Sequence, residues 1–135
     1  QVRVEVGLPE ILQRKMEQEF GDVDVLAWHH ERNDVLIIEC KDLSLARNYT
    51  EAAHLLSEYQ GIEKNGELDN LAKHLRRFEI LQAELKQVGA FCEVDSPSLH
   101  SALVFKGIVP MEYAKIDALK DTFAGDIESF ISNLP

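Results

Sequence analysis

The stretches GDVDVLAWHH (residues 21–30) and VLIIECK (residues 35–41) decide how this chain reads. In the first, Val23, Val25 and Ala27 alternate with Asp22, Asp24 and Leu26, the period of two that marks a strand. The second is a near-continuous apolar run closing on Glu39 and Lys41, as expected of a central strand covered on both faces. The HHERND connection between them is polar, and Asn33-Asp34 suits a tight turn. Strands over 22–30 and 34–41 are therefore expected to form an antiparallel hairpin. Residues two apart on a strand face the same way. Asp22 and Asp24 project together, as do Glu39 and Lys41. The start of one hairpin strand lies beside the end of the other, so Asp24 is expected to meet Glu39 and Lys41 at one end of the sheet.

Outward from this hairpin, Val2, Val4 and Val6 alternate with Arg3 and Glu5, which predicts a short strand with one buried face. Pro9 opens the stretch PEILQRKMEQEF, whose Ile11, Leu12, Met16 and Phe20 fall at helical spacing up to Gly21. A helix is expected over EAAHLLSEYQ (51–60), capped by Thr50, and GIEKNGELDN (61–70) reads as a loop. Leu71, Leu75, Phe78, Leu81 and Leu85 make the apolar stripe of a long helix over 69–88, with Gly89 ending it. SALVFKGIVP (101–110) is a third apolar strand, and the tail from Ile116 to Leu134 reads as one amphipathic helix. Trp28, Tyr59 and Phe105 are assigned to the core. The whole is an α/β domain with a mixed central sheet flanked by helices.

A length of 135 residues with 45% apolar content fits one globular domain. No apolar run approaches the roughly 18 residues of a membrane span. The opening QVRVEVGLPE has neither an initiator Met nor a signal-peptide pattern, so a piece of a longer chain in the cytoplasm is expected. Cys40 and Cys92 are too far apart in sequence to make a metal knuckle or disulfide scaffold, and Cys40 reads as a small buried hydrophobe. The net charge of −10 runs against tight grip on phosphates by this chain alone.

Two carboxylates brought together near a core repel one another, and a hard divalent cation relieves this. Mg²⁺ takes one or two carboxylates, keeps several waters and binds phosphate oxygens. A neighbouring lysine can orient or deprotonate a water, or offset charge on the phosphorus centre. With these residues in view, GDVDVLAW followed by VLIIECK resembles the PD-(D/E)XK nuclease superfamily. That resemblance implies a three-layer restriction endonuclease-like fold, with an Asp opening one strand and Glu-x-Lys ending the next. It implies Asp24 and Glu39 as ligands of Mg²⁺ or Mn²⁺, with Lys41 as the catalytic lysine of a DNA-cleaving endonuclease. The match is strongest over residues 21–43. Val23 stands at the family's proline position. Many members also carry a Glu on a helix before the sheet. Glu17 and Glu19 are the candidates here, with Asp22 a further carboxylate for the metal. The helix concerned lies after the first strand rather than before it.

Lys73, Arg76 and Arg77 share a helix face by three and four spacing, and form the one basic cluster for phosphate contact. A solvated helix face competes with that reading. For Asp22 a turn cap competes, and for the Asp24, Glu39 and Lys41 set a surface salt bridge. Three functions are carried forward: a DNA nuclease, with a homodimer one of its open forms because dimers are common among nucleases that cut both strands; an inactive nuclease-like interaction module; and a small phosphate-ester hydrolase. No phosphate loop of the GxxxxGK[ST] kind supports the last.

Overall fold

A computed structural model of the chain describes residues 1–43 and 45–134. It is an α/β structure with a five-stranded mixed sheet in the order β1-β2-β3-β6-β7, flanked by helices. Strands β1 (Val2–Gly7), β2 (Asp22–His29) and β3 (Asp34–Lys41) form an antiparallel meander. After three helices the chain returns as β6 (Ser98–Phe105). Ser98 N–H donates to Asn33 O at 2.8 Å and Lys106 N–H to Lys41 O at 3.0 Å. The same sequence offset at both ends makes β6 parallel to β3. The apolar run 35–41 thus becomes the middle strand, as its composition predicts.

The chain forms two compact units, and β3 and β6 each run from one into the other. The first comprises Gln1–Glu39 and Arg76–Ser101. Its core contains Val23, Leu26 and Trp28 of β2 and Val35 and Ile37 of β3. Leu8, Ile11 and Leu12 of α1 (Leu8–Leu12) join them, at the spacing that puts them on one helix face. The second unit comprises Cys40–Leu75 and the residues from Ala102 onward. Its core is built on Tyr59, Leu71, Leu103, Phe105 and Met111, with Tyr59 and Phe105 edge to face at 5.6 Å. Trp28, Tyr59 and Phe105 are all buried, as expected.

Several elements depart from the pattern. The helix opened by Pro9 stops at Leu12, because Gln13 turns left-handed (φ 53°). Met16 and Phe20 still pack on the first core, but from an irregular segment. That segment is tied down by Arg14, whose Nε donates to Glu84 Oε2 at 3.2 Å. This pairing lowers the Glu84 pKa and raises that of Arg14.

The cap of α2 (Tyr49–Ser57) is Asn48, whose side chain accepts from Glu51 N–H at 3.0 Å; Thr50 lies inside the helix. The 61–70 stretch holds a small hairpin, β4 (Glu63–Lys64) and β5 (Glu67–Leu68), around Asn65-Gly66, both left-handed. Asn-Gly is a strong two-residue hairpin signal, and the loop reading passed over it. The long helix divides at Glu84 into α3 (Asn70–Ala83) and α4 (Leu85–Cys92). Gly89 lies inside α4 and does not end it. A side chain at 89 would meet Val94 O at 2.7 Å and Pro97 Cδ at 3.0 Å, so the glycine serves close packing. The tail is not one helix: it contains β7 (Thr122–Asp126) and α5 (Ile127–Ser132). Asp126 caps α5 by accepting from Ser129 N–H at 2.7 Å. Among the described residues, no helix is long and apolar enough to cross a membrane.

Candidate functional site

The β2–β3 ladder runs from His29 opposite Asp34 to Val25 opposite Ile38. These rungs thus stop one residue short of Asp24 on β2 and of Glu39 on β3. Lys41 ends β3 two residues beyond Glu39, on the same side of the strand by alternation. On its other side β2 pairs with β1 at Val25 and at Val23, and the rung between is missing. The residue that would fill it, Glu5, sits at φ 49°, a strained conformation for a side chain of this kind. Asp24 therefore lies where the regular ladders on both sides of β2 give way. It is half-buried, and Asp22, exposed at the first position of β2, pairs with Gly7 of β1.

Glu39 is the buried carboxylate of the group, 6% exposed, at a position where alternation turns it inward and its neighbour Cys40 outward. Cys40 is exposed, which corrects its assignment as a small buried hydrophobe; Cys92 is the buried thiol. A carboxylate so deeply buried requires a partner. That partner is Arg77 on α3, also 6% exposed, whose Nη2 donates to Glu39 Oε2. Arg77 Nη1 donates to Phe20 O at 3.1 Å. Gly21, the next residue, takes φ +73°, and its Cα faces the guanidinium so closely that an added Cβ would stand 3.4 Å from Arg77 Nη1.

Arg77 is therefore not a phosphate-contacting member of an exposed basic face. Lys73 and Arg76 are exposed, and Arg76 pairs with Glu79 at 3.2 Å. Arg77 falls instead on the stripe that buries Leu71, His74 and Leu81. The signal was present in the sequence: Arg77 is four residues before Leu81 and three after His74, which is core spacing. Glu17 and Glu19 are exposed and lie in the irregular segment after α1, so neither is the helical carboxylate that the resemblance calls for.

The donor set can be matched against a divalent cation on chemical grounds. Carboxylates of Asp24 and Glu39 are hard oxygen ligands, suited to an ion that keeps most of its waters. Arg77 holds Glu39 Oε2, so a cation at Glu39 would share that carboxylate with a guanidinium. Among the described residues, no group of three or more His, Cys, Asp or Glu side chains is gathered for a metal. A cation held by Asp24 and Glu39 alone would keep most of its waters.

The sequence profile of a family described as Upx-like, anti-phage protein Upx-like, matches residues 1–131. The chain belongs to that family. Its matched region includes β1 through β7 and every candidate residue named above. No curated protein and no solved structure matches the chain.

Proposed function

We propose that this chain is a metal-dependent nuclease of the PD-(D/E)XK kind that cleaves phage DNA inside the cell as a defence. The observation that carries the reading is the antiparallel β2–β3 hairpin, whose ladder ends at Val25 opposite Ile38, next to Asp24 on one strand and Glu39 on the other, with Lys41 two residues further along. The mixed sheet, with an Asp near the start of one strand and Glu-x-Lys ending the next, supports it. The family's anti-phage description supports the setting. In this reading Asp24 and Glu39 hold Mg²⁺, and Lys41 orients the attacking water and offsets charge on the scissile phosphate. The bound cation supplies Lewis acidity and a more acidic water. Because the chain carries a net charge of −10, most of its grip on DNA comes through the metal, or through a second copy or further domains.

The test is cleavage of duplex, branched and single-stranded DNA by the purified protein with Mg²⁺ or Mn²⁺. Cleavage is expected with the metal, and Asp24→Ala and Lys41→Ala should each lower the rate by about a hundredfold or more. Absence of cleavage on every substrate overturns catalysis by this chain.

One observation favours a second reading, a non-catalytic interaction module of the same defence system. The Glu39 charge is already offset by Arg77, so the buried carboxylate has a counter-charge without any metal. That reading expects no Mn²⁺ heat in calorimetry and unchanged stability in Asp24→Asn.

A further inference from the structure

The carboxyl ends of β3 and β6 lie side by side, since Lys106 N–H donates to Lys41 O at 3.0 Å. In open α/β sheets, ligands bind beyond the carboxyl ends of parallel strands. The two segments that run out from these ends carry a group of open side chains. Leu45 is 70% exposed and Tyr49 96% on the way from β3 into α2; Ile108 is 60% exposed and Tyr113 75% on the way out of β6. The two tyrosines belong to elements that touch. Tyr49 opens α2, and Tyr113 ends the 3₁₀ turn Pro110–Glu112, which packs against that helix. Single exposed apolar residues are ordinary, but rings so open add little to a core, and a group of them marks a surface that meets something else.

Cations stand among these side chains. Arg47, Lys106 and Lys115 are exposed. Residues 41–50 and 106–115 together hold four basic residues against two acidic ones, a net of +2 in a chain of −10. Arg47 lies 3.9 Å from Glu51 and Lys106 lies 3.0 Å from Asp42. Both pairs are open to water, where a phosphate can replace the carboxylate at little cost. A protein partner would have to bury these charges. A nucleic-acid strand meets them with its phosphates and offers base faces to the rings. Base faces are hidden inside a duplex and open only where a strand is unpaired. We propose that this surface binds a single unpaired DNA strand, with bases stacked on Tyr49 and Tyr113 and phosphates along Arg47, Lys106 and Lys115. The proposal rests on the nuclease reading for a DNA substrate and deepens it, naming that substrate as a fork, gap or displaced strand. It requires no metal.

The experiment follows the anisotropy of fluorescein-labelled DNA as the whole chain is added, in EDTA at about 50 mM NaCl and again with Ca²⁺. A single strand, a fork and a hairpin-capped duplex are compared. Wild type is set against the double variant Tyr49→Ser, Tyr113→Ser, with melting temperature recorded for both. Wild type is expected to prefer the single strand and fork to the duplex by about tenfold or more, and loss of both rings to weaken single-strand binding by about tenfold or more. The melting temperature should hold, because both rings are exposed. Absence of DNA binding, equal affinity for duplex and single strand, or single-strand affinity unchanged by loss of the rings overturns the proposal. Dimerisation in sedimentation that the variant abolishes, with no change in DNA binding, assigns the surface to a second copy and overturns it as well. Failure of the nuclease reading is distinct. Strand binding through the tyrosines without cleavage keeps this surface and removes the catalysis; cleavage without preference for unpaired strands does the reverse.

Discussion

Burial separates the two thiols. Cys40 faces out of β3 and is exposed, whereas Cys92 ends α4 inside the first core, where desolvation pushes its thiol up to about 11. An unfolded cysteine ionises near pH 8.5, so between roughly 8.5 and 11 the folded chain keeps a proton that the unfolded chain has released. Stability from this group is fully present below that window and is lost as pH rises through it. Melting temperature is expected to fall between pH 8 and pH 10.5, and to fall less in Cys92→Ala. A thiol reagent at pH 8 should modify Cys40 rapidly and Cys92 only as the chain unfolds. Full labelling of both thiols in the native protein would contradict the structure. Position 40 also shows what periodicity leaves out. The run VLIIEC looks uniformly apolar, yet alternation decides which side each residue takes. Glu39 turns inward because Arg77, 38 residues away, waits there. Its charge identified it as unusual for an apolar strand, but its partner is set by tertiary packing that no local pattern contains.

Among the elements, α3 has the most demanding start. Asp69 accepts from Ala72 N–H at 2.8 Å as the cap of α3. The same carboxylate accepts from Gln60 N–H at 2.9 Å and from Gly61 and Ile62 N–H at 3.2 Å. One side chain thus ends the α2 side of the connection and starts α3, with the β4–β5 hairpin looped out between. Asp69→Ala removes a cap and several charge-assisted bonds, and is expected to cost about 2–4 kcal/mol. Asp69→Asn should retain part of that. Urea denaturation measures both, and a loss below about 0.5 kcal/mol in Asp69→Ala would contradict the geometry. Strands β2 and β3 were legible because their side-chain period is simple and their lengths are set by the polar turn between them. The helices were legible as helices but not in their limits. Leu12 ends α1 and Glu84 divides α3 from α4 for reasons of packing, which propensity does not record. The segment TFAGD (122–126) was hidden because Phe123 and Phe130, which pack at 5.4 Å, also satisfy a helical count.

For the molecule as a whole, twenty-four acidic against fourteen basic residues leave a self-repelling surface. Arg77 and Glu39 are buried as a pair, so their burial leaves that imbalance unchanged. Screening at higher salt should therefore stabilise the fold. Raising NaCl from about 10 mM to about 300 mM shortens the Debye length several-fold and is expected to raise the melting temperature by about 3 °C. A fall over that range would mean that exposed pairs such as Arg14 with Glu84 outweigh the net repulsion. The α/β class and the mixed sheet could be read from element order, since strand, strand, helix, helix, strand leaves few arrangements. The division into two cores could not. It depends on β3 and β6 each serving both units, a property of the assembled sheet rather than of either strand.

The parallel pairing of β3 with β6 has a consequence for how the protein comes into being. The β1–β2–β3 meander closes over short distances and can form while the chain is still being made. The central strand, however, meets its other neighbour only across the 65 residues that separate Asn33 from Ser98. Closing so long a loop is slow and is not rewarded until both ends are present. Arg77 lies within that loop, so the counter-charge of Glu39 is also translated late. The residues of the carboxylate-bearing hairpin are therefore made before the strand that covers its edge and before the arginine that offsets its buried charge. The candidate site thus depends on residues made well after the hairpin that carries its carboxylates.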